Sequence, residues 1–287
     1  MADLAGKTIV ITGANTGLGR AAALQLAPRG PRLILACRSR DKTEPVLAEL
    51  RACAPAAPPP EFLALDLASL ASVREAAAEL RARAPAIDVL VNNAGVAGHR
   101  GLTADGFELQ FGVNHLGHYL WTRLLLDAVA AAGRPGAPAR LVTVASNSHR
   151  QAKAIDWDAV RRPTATVVGL HEYEVSKLCN LLMQRELTRR LGPDAPVHTY
   201  ALNPGRVATD AWRRIPGPVR WLMKRVMISS EQGGSYLVHA ATEPAIAAHT
   251  GRYYDRAREQ APTALAQDDA LALELWTRSA AWVDLPA

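Results

Sequence analysis

The chain has 287 residues, 49% of them apolar, with a net charge of +6. That is enough apolar material to bury a substantial core, and it suits one α/β domain spanning residues 1–287. The basic residues are scattered as pairs, Arg161-Arg162, Arg189-Arg190 and Arg213-Arg214, which read as solvated helix faces and exclude a nucleic-acid-binding stripe, though the surplus suits a polyanionic ligand. Cys37, Cys53 and Cys179 are spaced for neither a disulfide framework nor a zinc site, which points to a reducing compartment. The opening Met1-Ala2-Asp3-Leu4-Ala5-Gly6-Lys7 has no charged-then-apolar leader, and no apolar run is long enough to span a bilayer. The expectation is therefore a cytoplasmic protein without an integral membrane segment.

Short aliphatic runs alternate with longer helical patterns, as in a parallel sheet built from βαβ units. Strands are predicted at Thr8–Thr12, Arg32–Ala36, Phe62–Leu65, Val89–Val91, Leu141–Val144, Val197–Leu202 and Arg252–Tyr254. Helices are predicted at Gly17–Arg29, Lys42–Ala52, Ser69–Arg83, Gly106–Ala132, Glu172–Leu191, Ser230–Ala241 and Asp268–Trp282. The strand runs are continuously apolar, which fits burial on both faces. The expected fold is a doubly wound, Rossmann-type parallel sheet in a single domain. One segment interrupts the alternation: between Asp210 and Ser229, Pro216-Gly217-Pro218 breaks what would otherwise be a helix. Its place after a strand's carboxyl end reads as a substrate-covering lid; an irregular surface loop and a basic amphipathic membrane contact are the other readings.

The first strand runs into Thr12-Gly13-Ala14-Asn15-Thr16-Gly17-Leu18-Gly19 and then a helix. Glycines there let backbone N–H groups approach a pyrophosphate, which the helix N-terminus also attracts. The spacing is Gly-x3-Gly-x-Gly, so the candidate cofactor cradle is Gly13, Asn15, Thr16, Gly17, Leu18 and Gly19; a tight turn without ligand is the plain alternative. The second strand ends in Cys37-Arg38-Ser39, with no carboxylate where dinucleotide folds place one on the adenine ribose. Arg38 offers a guanidinium fork for a 2′-phosphate, which favours NADP(H) over NAD. Asp66, in Leu65-Asp66-Leu67, is placed either to accept from the adenine amino group or to cap the next helix. Asn92-Asn93-Ala94-Gly95 follows the fourth strand, where small residues allow close approach to a ligand and Asn side chains can tie strand ends together.

Tyr173 and Lys177 lie one helical turn apart on one face. A phenol has an ordinary pKa near 10, and a neighbouring cation lowers it toward useful acid–base chemistry. Ser146, at the end of the fifth strand, could orient a substrate oxygen against Tyr173, with Ser148 as its rival.

In these motifs the chain resembles the short-chain dehydrogenases/reductases over nearly its whole length. They run in that family's order: Thr12-Gly13-x3-Gly17-x-Gly19, Asn92-Asn93-Ala94-Gly95, Asn114, Ser146, Tyr173-x3-Lys177 and Asn203-Pro204-Gly205. The stretches Ala36-Cys37-Arg38, Phe111-Gly112-Val113-Asn114-His115-Leu116-Gly117-His118 and Ser176-Lys177-Leu178-Cys179-Asn180 look like the retinol dehydrogenase and protochlorophyllide reductase branch. The resemblance implies that Tyr173 is the general acid/base, Ser146 positions the carbonyl, and Lys177 holds the nicotinamide ribose. It implies that Asn114 anchors a water in a relay through Lys177. It further implies a cofactor surface of Asp66, Leu67, Asn93, Ala94, Gly95, Pro204, Gly205, Val207 and Thr209. Ala145 stands where a serine often precedes the catalytic one, with little effect expected, and His149 and His171 are expected near the cleft rim.

The leading expectation is an NADP(H)-dependent enzyme interconverting a carbonyl and an alcohol on a fairly apolar small molecule. Reduction of a conjugated C=C bond and a non-catalytic NADP(H)-sensing protein are the alternatives. Membrane-bound retinol dehydrogenases commonly carry a hydrophobic anchor that this sequence does not show, which counts against a retinoid. The long helices Gly106–Ala132 and Glu172–Leu191 are the candidate surfaces for a homo-oligomer of the kind seen in that family.

Overall fold

The computed structural model describes residues 3–205 and 228–287. Its centre is one eight-stranded sheet in the order β3-β2-β1-β4-β5-β6-β7-β8. The strands are β1 (Thr8–Thr12), β2 (Arg32–Cys37), β3 (Glu61–Ala64), β4 (Val89–Asn92), β5 (Ala139–Val144), β6 (Val197–Asn203), β7 (Arg252–Asp255) and β8 (Arg258–Gln260). Every neighbouring pair is parallel except β7 with β8, which form an antiparallel edge hairpin. The order reverses beside β1, so the carboxyl ends of β1 and β4 flank the crevice where such sheets take ligands.

Each inner strand feeds two cores because successive side chains point to opposite faces. Val10, Ile34, Leu90, Leu141 and Ala201 face one layer, made of α3 (Leu70–Arg83), α5 (Gly117–Ala132), α6 (Leu170–Leu191) and α8 (Asp269–Trp282). Ile9, Ile11, Leu35, Val91, Val142 and Leu202 face the other, made of α1 (Gly17–Leu26), α2 (Arg40–Cys53) and α7 (Ser230–Thr242). This is the doubly wound, Rossmann-type sheet expected from the alternating pattern.

The helix expected over Gly106–Ala132 is broken into a short α4 (Leu109–Phe111), a π-turn at Gly112–Leu116 and α5. Packing supplies a reason. A Cβ on Gly117 would lie 2.5 Å from the carbonyl oxygen of Leu67, and the Asn114 side chain bonds across to Val96. A π-turn inserted into an α-helix re-aims such side chains.

Of the two helices read from the sequence as oligomer surfaces, α6 packs along the chain's own α8, and α5 meets it at Tyr119. Trp276 of α8 stands edge-on to Tyr119 at 5.0 Å between centroids, under the guanidinium groups of Arg123 and Arg190. Arg185 of α6 pairs with Asp269 at 2.7 Å. No helix among the described residues is long and apolar enough to cross a membrane. Of the segment Asp210 to Ser229 read as a lid, all but its last two residues lie outside the described residues, as do Val207 and Thr209.

Candidate active site

The glycine turn closes against the loop after β4. Gly13 has φ +66°, and a Cβ there would meet Cβ of Ala94 at 2.8 Å, so a larger residue is opposed by both backbone and contact. A Cβ on Gly19 would lie 2.6 Å from Asn93 Nδ2. Asn93 donates that amide to the Thr12 carbonyl at 2.7 Å, joining the ends of β1 and β4. Thr12 Oγ1 accepts the N–H groups of Asn93 and Ala94, both at 2.9 Å, and also meets His118 Nε2 at 2.9 Å. Burial lowers the His118 pKa to about 4, so the ring is neutral. Its Nδ1 faces the Asn114 carbonyl at 3.1 Å and must donate, which leaves Nε2 to accept from Thr12.

The mouth of this turn fits an anionic ligand. Thr16, at the N-cap of α1, is exposed and makes no side-chain cap bond, and the first turn of α1 holds no acid. Helix N–H groups are thus open beside partly buried Asn15 and Gly17, while Leu18 and Gly19 are buried beneath. Arg38 follows β2, exposed, with no hydrogen bond or ion pair to a described residue. Asp66 does not cap α3: its Oδ1 accepts from Ala68 N at 3.0 Å, while Ser69 caps the helix and Asp105 takes the Leu70 N–H. Leu67 is buried against the start of α5.

Three elements bring the chemical residues together. Ser146 ends the run of β5, Tyr173 and Lys177 come from α6, and Asn114 from the π-turn. The Ser146 hydroxyl stands close enough to the Tyr173 phenol to lower its pKa. Ser148 N–H donates to Ser146 Oγ at 3.1 Å, and the two serine hydroxyls lie 3.2 Å apart, so Ser148 supports its rival. Burial pushes the Tyr173 phenol above its ordinary range, and the neighbouring Ser146 hydroxyl pulls it the other way. The depression expected from Lys177 is absent. The ammonium sits 5.6 Å from the Tyr173 ring centroid and donates to the Val144 carbonyl at 2.9 Å, and burial lowers its own pKa to about 8.

Asn114 is fully buried. Its Nδ2 donates to Val96 O and Ser176 Oγ, each at 3.0 Å, and its Oδ1 accepts from Val96 N at 2.8 Å. Its main-chain carbonyl takes His118 Nδ1 and, with the Asn180 amide in its satisfied orientation, Asn180 nitrogen at 2.8 Å. The main-chain oxygen is thereby saturated, and Oδ1 keeps the spare lone pair. A Cβ on Gly95 would lie 3.2 Å from that Oδ1 and 3.7 Å from Lys177 Nζ, so the two groups share the space Gly95 leaves.

Pro204 is buried at the end of β6, and Gly205 turns the chain with φ +91°. His149 is not at the rim: it is buried, its Nδ1 donating to Ser146 O at 2.7 Å and its Nε2 accepting from Thr263 N at 3.3 Å. His171 is exposed beside Glu174. Thr12, His118, Ser176 and Asn180 position the site without having been singled out for it. The four-residue spacing of His118 from Asn114 fits their own hydrogen bond but carries nothing about the contact with Thr12. A separate open groove of about 540 Å³ lies between α6, β7 and β8, and its lining includes none of the candidate catalytic or cofactor residues.

The model of the short chain dehydrogenase family matches residues 7–157, more than half of the chain. The chain belongs to the short-chain dehydrogenase family. Among the most similar relatives of this short-chain dehydrogenase is human retinol dehydrogenase 13, 39% identical over an alignment covering 100% of this chain and 87% of that protein. A crystal structure of an uncharacterised Mycobacterium paratuberculosis protein superposes with a TM-score of 0.78 at 30% identity, covering 100% and 97% of the two chains. The RhlG/NADP complex of Pseudomonas aeruginosa shares the fold at a TM-score of 0.70 and 21% identity, over 88% and 95%. The chain is therefore an oxidoreductase of this family.

Proposed function

We propose that this short-chain dehydrogenase interconverts a carbonyl and an alcohol on a fairly apolar small molecule with NADP(H), as one catalytic domain in the cytoplasm. The observation that carries the reading is the meeting of Ser146, Tyr173 and Lys177 at the carboxyl edge of the sheet, beside a glycine turn whose helix N-terminus is open. When bound, the cofactor supplies the hydride for reduction and accepts it in the reverse direction.

Gly13, Asn15, Thr16, Gly17, Leu18 and Gly19 would cradle the pyrophosphate, and Arg38 would pair with the 2′-phosphate. Asp66 and Leu67 would border the adenine, while Asn93, Ala94, Gly95, Pro204 and Gly205 would line the nicotinamide half together with Val207 and Thr209. Ser146 would hold the substrate oxygen against Tyr173, and Tyr173 would give it a proton as the hydride reaches carbon. A phenol raised by burial is protonated at neutral pH, which suits the donor role. Lys177 would hold the cofactor ribose, and Asn114 Oδ1 would accept a water linking Lys177 outward. Support for an apolar substrate comes from Val167, Val168 and Leu170, exposed at 83%, 57% and 45% just ahead of Tyr173, with Val168 O beside Gly98.

The test is product analysis with purified protein, NADPH and a panel of apolar aldehydes and ketones, an all-trans polyene aldehyde among them. Oxidation of NADPH matched by alcohol formation is expected. Hydrogen added across carbon–carbon would replace this reading with conjugated-bond reduction. Tight NADPH binding with no turnover on any member would favour a sensing protein.

A further inference from the structure

Three neighbouring strands end together behind the proposed substrate site. Val144 of β5 is in register with Leu202 of β6, and Asn203 of β6 with Asp255 of β7. The side chains of Asn203 and Asp255 close a ring with Asn147, just past β5. Asn147 N donates to Asn203 Oδ1 at 3.2 Å, Asn203 Nδ2 donates to Asp255 Oδ1 at 2.7 Å, and Asn147 Nδ2 donates to Asp255 Oδ2 at 3.0 Å. The Tyr253 hydroxyl donates to the remaining Asn147 Oδ1 at 2.7 Å.

Asn147 directly follows Ser146, and Asn203 directly precedes Pro204-Gly205. The ring therefore spans the two segments that would hold the substrate oxygen and line the nicotinamide. Only a carboxylate closes it as it stands, because both oxygens of residue 255 must accept while both neighbours present N–H groups.

We propose that Asp255 is a positioning residue for the reaction, holding Ser146 and Pro204-Gly205 at a fixed separation through Asn147 and Asn203. The proposal rests on the functional reading above. Asp255 acts at a distance: it orients the group that orients the substrate, so its loss should appear in turnover. The glycine turn lies at β1, two strands from β5 in the sheet, so cofactor affinity should change little.

The test uses Asp255→Asn, which keeps size and shape but turns one N–H2 toward another. A kcat lowered by roughly 10- to 100-fold is expected, the scale of a misplaced reacting group. The NADPH Kd, followed by cofactor fluorescence, should stay within about threefold, a change of under about 0.7 kcal/mol. The double variant Asp255→Asn with Asn203→Asp restores every bond with one donor reversed. Its carboxylate, now on β6, would accept from Asn147 N and from the amide now carried by β7, whose oxygen would accept from Asn147 Nδ2. Recovery of kcat in that pair is the result a merely structural role would not produce. Should Asp255→Asn fail to fold, Asn147→Ala removes the Asn147 side-chain bonds to Asp255 and Tyr253 while keeping its main-chain bond to Asn203, and should lower kcat in the same way.

A wild-type kcat in folded Asp255→Asn or Asn147→Ala overturns the proposal, as does a folded double variant that stays as slow as the single one. Ser146→Ala is run alongside. If it retains full turnover, the functional reading itself fails; if it is slow while Asp255→Asn is not, only the role of Asp255 is lost.

Discussion

At the scale of residues, the acid–base pair carries a pH signature. Tyr173 is raised by burial and so stays protonated through neutrality, while Lys177 loses its ammonium charge near pH 8. Reductive kcat should therefore hold through neutral pH and fall as pH rises past about 8. Lys177→Arg, whose guanidinium keeps its charge, should move that fall to higher pH; an unmoved alkaline limb would take Lys177 out of the titration. Arg38 makes a second prediction. Charged hydrogen bonds contribute about 1.5–3 kcal/mol, so Arg38→Asp should lower the NADPH over NADH preference by roughly 10- to 100-fold in paired KM measurements. An unchanged ratio would remove Arg38 from cofactor choice. Tyr173, Lys177 and the glycine turn were legible in the sequence because their partners lie within one turn or at one strand end. His118 and Asp255 were not: His118 meets Thr12 across 106 residues and Asp255 meets Asn147 across 108, separations that no local pattern encodes.

At the scale of elements, the apolar runs gave seven strands to within two residues at either end, because burial on both faces leaves an uninterrupted aliphatic signature. β8 was missed: Arg258-Glu259-Gln260 is exposed throughout and pairs only as the antiparallel edge. The π-turn was missed because Gly112–Leu116 has ordinary helical spacing; its cross-chain contacts are Asn114 with Val96 and Gly117 against Leu67. α8 docks on α5 and α6 through Trp276, which is 3% exposed. Trp276→Ala should lower unfolding stability by about 3–5 kcal/mol in denaturant titration, the range for truncating a buried aromatic ring. A loss within experimental scatter would mean that α8 adds little to the layer it covers.

For the whole molecule, buried neutral histidines contribute to acid sensitivity. The His118 pKa falls from 6.5 to about 4 on folding and that of His115 from 6.5 to about 3, both mainly by desolvation. Between those values and 6.5 the unfolded chain takes up protons that the folded protein does not. Stability should thus be intact above pH 6.5 and decline as pH falls toward 4 and then 3. His118→Gln should flatten the upper part of that decline in urea midpoints; an identical slope would assign it to other groups. The sheet order, with β1 and β4 side by side and parallel, is what sets the glycine turn against the Asn93-Ala94-Gly95 loop and the Tyr173 helix near both. The most direct measurement on the central claim is Tyr173→Phe assayed for turnover and NADPH binding together. The account expects a kcat loss of about 100- to 10,000-fold, the range for removing a general acid, with the NADPH Kd within about threefold of wild type. Full turnover by Tyr173→Phe on an accepted carbonyl substrate would contradict it.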